Sequence, residues 1–96
     1  MKIRVKAFLT LRQAMGNQGS LEMETGEITI RDLLTALCRD YGEGFEKMIF
    51  DPCANTLSGH TKVLVNGRHY STLPEKLDTR LKEGDEVALF PPLAGG

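Results

Sequence analysis

Four side chains have the atoms of a metal site or a nucleophilic pair: Cys38, Cys53, His60 and His69. They would supply zinc ligation through thiolate and imidazole, or attack by an activated thiolate. Their spacings match no zinc pattern, and neither histidine has a Ser or Cys partner at a recognised catalytic interval. Cys38 also falls on an apolar helical stripe, where a small buried hydrophobe is expected. Two cysteines are too few for a disulfide framework and read as reduced thiols. Gly42-Glu43-Gly44 is not a phosphate loop: it follows a helix rather than a strand and lacks the Gly-Lys-Ser/Thr ending. No metal site is expected.

The remaining chemistry is at the end of the chain. Gly95-Gly96 follows Pro91-Pro92 and Leu93. Two glycines alone would describe a frayed end. Behind a proline pair, which favours extended polyproline geometry, they would form the slim tip of a stiff arm. A carboxylate on such an arm can enter a tunnel that any side chain would block. It is a weak nucleophile towards ATP, but an enzyme can adenylate it, and the acyl-adenylate is then open to attack by sulfur or by an amine.

The elements that must carry this arm are legible from periodicity. Ile3, Val5, Ala7 and Leu9 alternate with Lys2, Arg4, Lys6 and Phe8, the period of a half-buried strand. Leu21 and Met23 alternate with Ser20, Glu22 and Glu24, and the turn cluster Gly16 to Gly19 makes the two strands a hairpin. Period 3.6 then takes over: Ile30, Leu33, Leu34, Leu37, Cys38 and Tyr41 share one stripe. Thr29 as N-cap, Asp32 as its capping-box partner and Gly42 as terminator predict a helix over about 30–41. Residues 42–60 carry several breakers, with Phe45, Met48 and Ile49 able to form an amphipathic helical turn or two. Val63 and Val65 mark a strand, Asn66-Gly67 a two-residue type I′ turn, and Arg68 to Ser71 the return strand. Leu73, Leu77 and Leu81 anchor an irregular crossing around Pro74. Lys82 to Asp85 is a turn, and Glu86 to Phe90 is the last strand, stopped by Pro91-Pro92.

The order β-β-α-β-β-β makes an α+β domain: one mixed sheet covered by one main helix. The first strand lies parallel beside the last at the centre of the sheet, which is the β-grasp arrangement. Residues 1–92 form this domain and 93–96 the tail. Ninety-six residues, 41% hydrophobic and 26% charged, suit one globular unit. A net charge of -1 lacks the basic excess that binding nucleic acid requires. No apolar run approaches the ~18 residues that span a bilayer, and the alternating N-terminus is no signal peptide, so no membrane role and a cytoplasmic location are expected. On the sheet face away from the helix, Phe8, Leu64 and Phe90 would cluster, rimmed by Lys2, Arg4, Lys6 and Lys62. Beside the tail root, this is a candidate partner surface.

The sequence resembles the ubiquitin-like sulfur carriers, most of all the small subunit of molybdopterin synthase. The residues that carry the resemblance are Ile3-Arg4-Val5 with Phe8 and Arg12, Val65-Asn66, and the run from Gly84 to Gly96, which includes Phe90-Pro91-Pro92-Leu93-Ala94-Gly95-Gly96. Thiamine-pathway carriers share the Gly-Gly end but usually lack the Phe-Pro-Pro run. The 42–60 segment is longer than in the shortest members. The resemblance implies a co-substrate rather than an enzyme, with no bound cofactor. An E1-like adenylating enzyme would use ATP to activate Gly96, which Gly95 helps to admit. A sulfur donor would convert it to a thiocarboxylate. The charged tail would enter the large subunit of molybdopterin synthase, or another sulfur acceptor, with Phe8, Leu64, Phe90, Pro91, Pro92 and Leu93 as the docking surface. The same activated end would serve a modifier joined to lysines. A plain binding module with an inert tail is the third alternative.

Overall fold

The computed structural model describes residues 1–17, 19–51, 56–57 and 61–91; at 50, 51, 56 and 57 only the backbone is considered. Cys53, His60, Pro92, Leu93, Gly95 and Gly96 therefore lie outside the described residues.

Strand β1 (Lys2–Ala7) leads into a short helix, α1 (Leu9–Ala14), and then into β2 (Ser20–Glu24). Helices α2 (Ile30–Tyr41) and α3 (Glu43–Ile49) follow, then the small pair β3 (Phe50–Asp51) and β4 (Thr56–Leu57). Strands β5 (Lys62–Val65) and β6 (Arg68–His69), 3₁₀ turns at Tyr70–Thr72 and Lys76–Asp78, and β7 (Glu86–Phe90) complete the chain. The main sheet has the order β2-β1-β7-β5-β6. β1 and β7 are parallel, with Val5 beside Val87, and the other neighbours in the sheet are antiparallel. This is the β-grasp expected from the sequence.

Local chemistry sets the ends of α2. The Asp32 N–H donates to Thr29 Oγ1 and the Thr29 N–H donates to Asp32 Oδ2, both at 3.1 Å, a reciprocal capping box. Gly42 ends the helix in the left-handed region (φ 88), its N–H donating to Cys38 O at 2.8 Å. Glycine takes that conformation without a Cβ clash. The helix buries Ile30, Leu33, Leu34, Leu37 and Cys38 against the inward residues Ile3, Val5, Val63, Val87 and Leu89. Phe45 and Ile49 of α3 join the same core, so part of the segment hardest to read is packed. Burial, reinforced by the carboxylate of Glu46, raises the Cys38 thiol to about 11, so it stays protonated at neutral pH and acts as a core hydrophobe.

The Asn66-Gly67 turn has φ of 52 and 84, as a type I′ hairpin requires. Asn66 also clips the turn to β7: its Nδ2 donates to Asp85 Oδ1 and its Oδ1 accepts from the Glu86 N–H, both at 3.0 Å. The return strand is shorter than the expected Arg68 to Ser71. His69 Nδ1 accepts from the Ser71 N–H at 3.2 Å and caps a 3₁₀ turn that begins at Tyr70. Leu77 and Leu81 are buried, and the crossing is tied to the first residue of α2 by the Ile30 N–H on Thr79 O and to the segment leading into α2 by the Leu81 N–H on Ile28 O.

One expectation fails at the end of β1. Alternation predicts Leu9 on the inward face, yet it is 58% exposed. Phe8 is the last extended residue (φ -126, ψ 151), and Leu9 (φ 55) turns the backbone into α1. Leu11 and Met15, four apart on that short helix and its cap, take the burial instead. The β1–β2 connection thus includes a packed helical turn ahead of the turn cluster. No described helix is long and apolar enough to cross a membrane.

Candidate functional site

The face of the sheet turned away from α2 carries the alternate residues of its three central strands. On β1 these are Lys2, Arg4 and Lys6, on β7 Glu86, Ala88 and Phe90, and on β5 Lys62 and Leu64. Because β1 and β7 run parallel, the ladder can extend one step past Ala7. The Phe8 N–H donates to Leu89 O at 3.2 Å, which sets Phe8 beside Phe90. The two rings stack with centroids 4.5 Å apart and planes 1° from parallel. Such a pair adds about 0.5–1.5 kcal/mol beyond area burial, yet Phe8 remains 37% exposed. Lys62 pairs with Phe90 in the antiparallel register, and Leu64, half-buried, lies in the adjoining row opposite Ala88 on one side and His69 on the other.

The structure therefore brings Phe8 and Phe90 into direct contact and sets Leu64 one row away on the same face. Pro91, which follows Phe90 at the root of the tail, is buried. The basic rim is partly neutralised: Arg4 pairs with Glu22 at 4.0 Å and Lys6 with Glu86 at 3.5 Å. Both pairs are exposed and contribute little to stability. Their effect is to make the surface around the aromatic stack mixed in charge rather than uniformly positive.

Leu9 is the residue that alternation misassigned. It follows Phe8 at the start of α1 and is, with Phe8, one of the two large apolar side chains left exposed among the described residues. A left-handed backbone at a residue with a Cβ costs about 1–2 kcal/mol. The spacing of Leu11 and Met15 was the available signal that the strand had given way to a helix before Leu9 could turn inwards. Of the titratable residues singled out in the sequence, His69 has Nδ1 held by Ser71, whose Oγ lies 2.7 Å away, with its ring against Tyr70 at 4.8 Å. Cys38 lies in the core, so the two described members of the supposed ligand set do not form a site together. Among the described residues, no group of three or more His, Cys, Asp or Glu side chains is placed to hold a metal ion.

Comparison with known proteins gives this surface its context. Residues 5–96 match the ThiS family. Over 80 residues, 83% of this chain and 88% of the relative, the chain is 35% identical to an Archaeoglobus fulgidus protein named as a sulfur carrier. The solution structure of small archaeal modifier protein 1 from Methanosarcina acetivorans superposes with a TM-score of 0.81 at 31% identity, covering 99% of this chain and 96% of that one. A Pyrococcus furiosus structure, named as subunit 1 of a molybdopterin converting factor, superposes with a TM-score of 0.72 at 30% identity, covering 97% and 99%.

Proposed function

The chain belongs to the ThiS family of ubiquitin-like carrier and modifier proteins, and we propose on that premise that Gly96 is the reacting end of a sulfur carrier serving molybdopterin synthesis. An E1-like enzyme joins the Gly96 carboxylate to the AMP moiety of ATP and releases pyrophosphate. Sulfide then attacks the acyl carbon, the bond to AMP breaks, and a thiocarboxylate is left at Gly96. The charged tail enters the large subunit of molybdopterin synthase, where its sulfur is handed on. This chain supplies the reactive end and the docking surface, and its partners supply the active sites.

The observation that supports this reading best is the family match, which runs through residue 96 and so includes Gly95-Gly96 behind the Phe90-Pro91-Pro92 run. The Pyrococcus likeness favours the molybdopterin pathway. The Methanosarcina likeness favours a second reading, in which a lysine amine displaces AMP and an isopeptide forms at Gly96. Recovery of the tagged chain from its source organism tests the pathway. Co-purification of the molybdopterin synthase large subunit is the expected result. A thiamine-pathway enzyme in its place, or covalent lysine adducts alone, would replace the pathway.

Docking gives a separate prediction. Phe90→Asp puts a charge at the centre of a surface that a partner must desolvate, and such burial typically costs several kcal/mol of binding. Circular dichroism should show the fold intact, because Phe90 lies on the open face. Titration calorimetry against the adenylating enzyme should show affinity reduced at least tenfold. Loss of the fold would assign Phe90 to the core.

A further inference from the structure

The fold accounts for the backbone at Leu9 but not for its side chain. The Phe8 N–H is held on Leu89 O at 3.2 Å, while the Phe8 carbonyl already accepts from the Leu11 N–H at 3.2 Å and the Arg12 N–H at 3.4 Å. The chain must pass from a β ladder into a helix within one residue, and the left-handed conformation (φ 55) does so. Glycine or asparagine makes that turn with the least strain. A polar residue would also be better solvated there. Leucine carries both penalties, since it is 58% exposed and, among the described residues, belongs neither to the core cluster nor to the half-buried side chains packed against it. Lys76, which also has positive φ (50), is different: its exposed side chain is charged and suited to water. A strained, exposed apolar residue is where a function outside the molecule is to be sought.

Its position indicates the occupant. Five residues, 92–96, follow Pro91, and they span at most about 18 Å when fully extended. An enzyme that encloses the Gly96 carboxylate together with ATP must therefore bring its own surface close to the tail root. Leu9 follows Phe8, whose ring stacks on Phe90, the residue before Pro91. We infer that Leu9 is a contact residue for the E1-like adenylating enzyme, its side chain entering an apolar depression on that enzyme and extending the docking surface from the sheet onto the start of α1. This inference rests on the carrier reading proposed above.

The test is ATP–pyrophosphate exchange with the adenylating enzyme of the source organism, comparing wild type with Leu9→Gly, Leu9→Asn and Leu9→Met, alongside thermal melts and sedimentation. The Gly and Asn variants should melt at or above the wild-type temperature, because strain is relieved. Their KM as protein substrates should rise about tenfold with kcat unchanged, the signature of lost binding common to ground and transition states. Methionine, apolar and flexible, should restore most of the KM. An unchanged KM overturns the inference, as does a lowered melting temperature, which would make Leu9 structural. Altered sedimentation would assign it to a contact between copies of this chain and overturn the inference too. Absence of exchange by the wild-type chain defeats the carrier reading itself, and this inference with it.

Discussion

Deletion of Gly96 is expected to abolish pyrophosphate exchange while leaving the melting temperature unchanged. The reacting oxygen must come within about 3–3.5 Å of the α-phosphorus of bound ATP. Removing one residue withdraws the carboxylate by up to about 3.3–3.6 Å, the extended rise per residue, which is enough to lose the attack geometry. Adding a residue after Gly96 should fail as completely, because it moves the carboxylate and puts a side chain where the tip is narrowest. Stability should not respond, because glycine has no side chain to bury in the core. Exchange at the wild-type rate by the deletion variant would remove Gly96 from the reaction and leave a binding module.

Leu37→Ala is expected to lose about 2–5 kcal/mol of folding stability, read by urea denaturation at constant m-value. Leu37 is 1% exposed, on the stripe of α2 that covers the sheet. Truncation removes buried methyl groups and leaves a cavity that a close-packed core fills only in part. For a domain of this size each kcal/mol moves the melting temperature by about 4–8 °C. The variant should therefore melt at least about 8 °C lower. A loss below about 1 kcal/mol would mean that α2 is not packed on the sheet as described.

Legibility in the sequence followed how local the determining interaction was. Helix α2 could be read to the residue because Thr29, Asp32 and Gly42 set its ends by contacts within a few positions. Asn66-Gly67 was equally plain, since few other pairs adopt two successive positive φ values. The aromatic pair needed one further step: Phe8 and Phe90 are far apart in sequence, and only the parallel placement of β1 beside β7 brings them together. Leu9 departs from alternation because alternation cannot show where a strand stops, and the one helical mark available, the i, i+4 pair Leu11 and Met15, is faint for a six-residue helix. The return strand is shorter than its sequence suggests because the His69 imidazole, rather than any glycine or proline, caps the turn that ends it.

The most direct test of a sulfur carrier is the mass of its end. The purified chain would be incubated with ATP, the E1-like adenylating enzyme and a sulfur donor, and its intact mass and C-terminal peptide measured. The account predicts a gain of about 16 Da, one oxygen replaced by sulfur at the activated carboxyl, confined to the peptide containing Gly95-Gly96 and lost when ATP is omitted. An unchanged mass, or a product found only as an isopeptide on lysine, would contradict it.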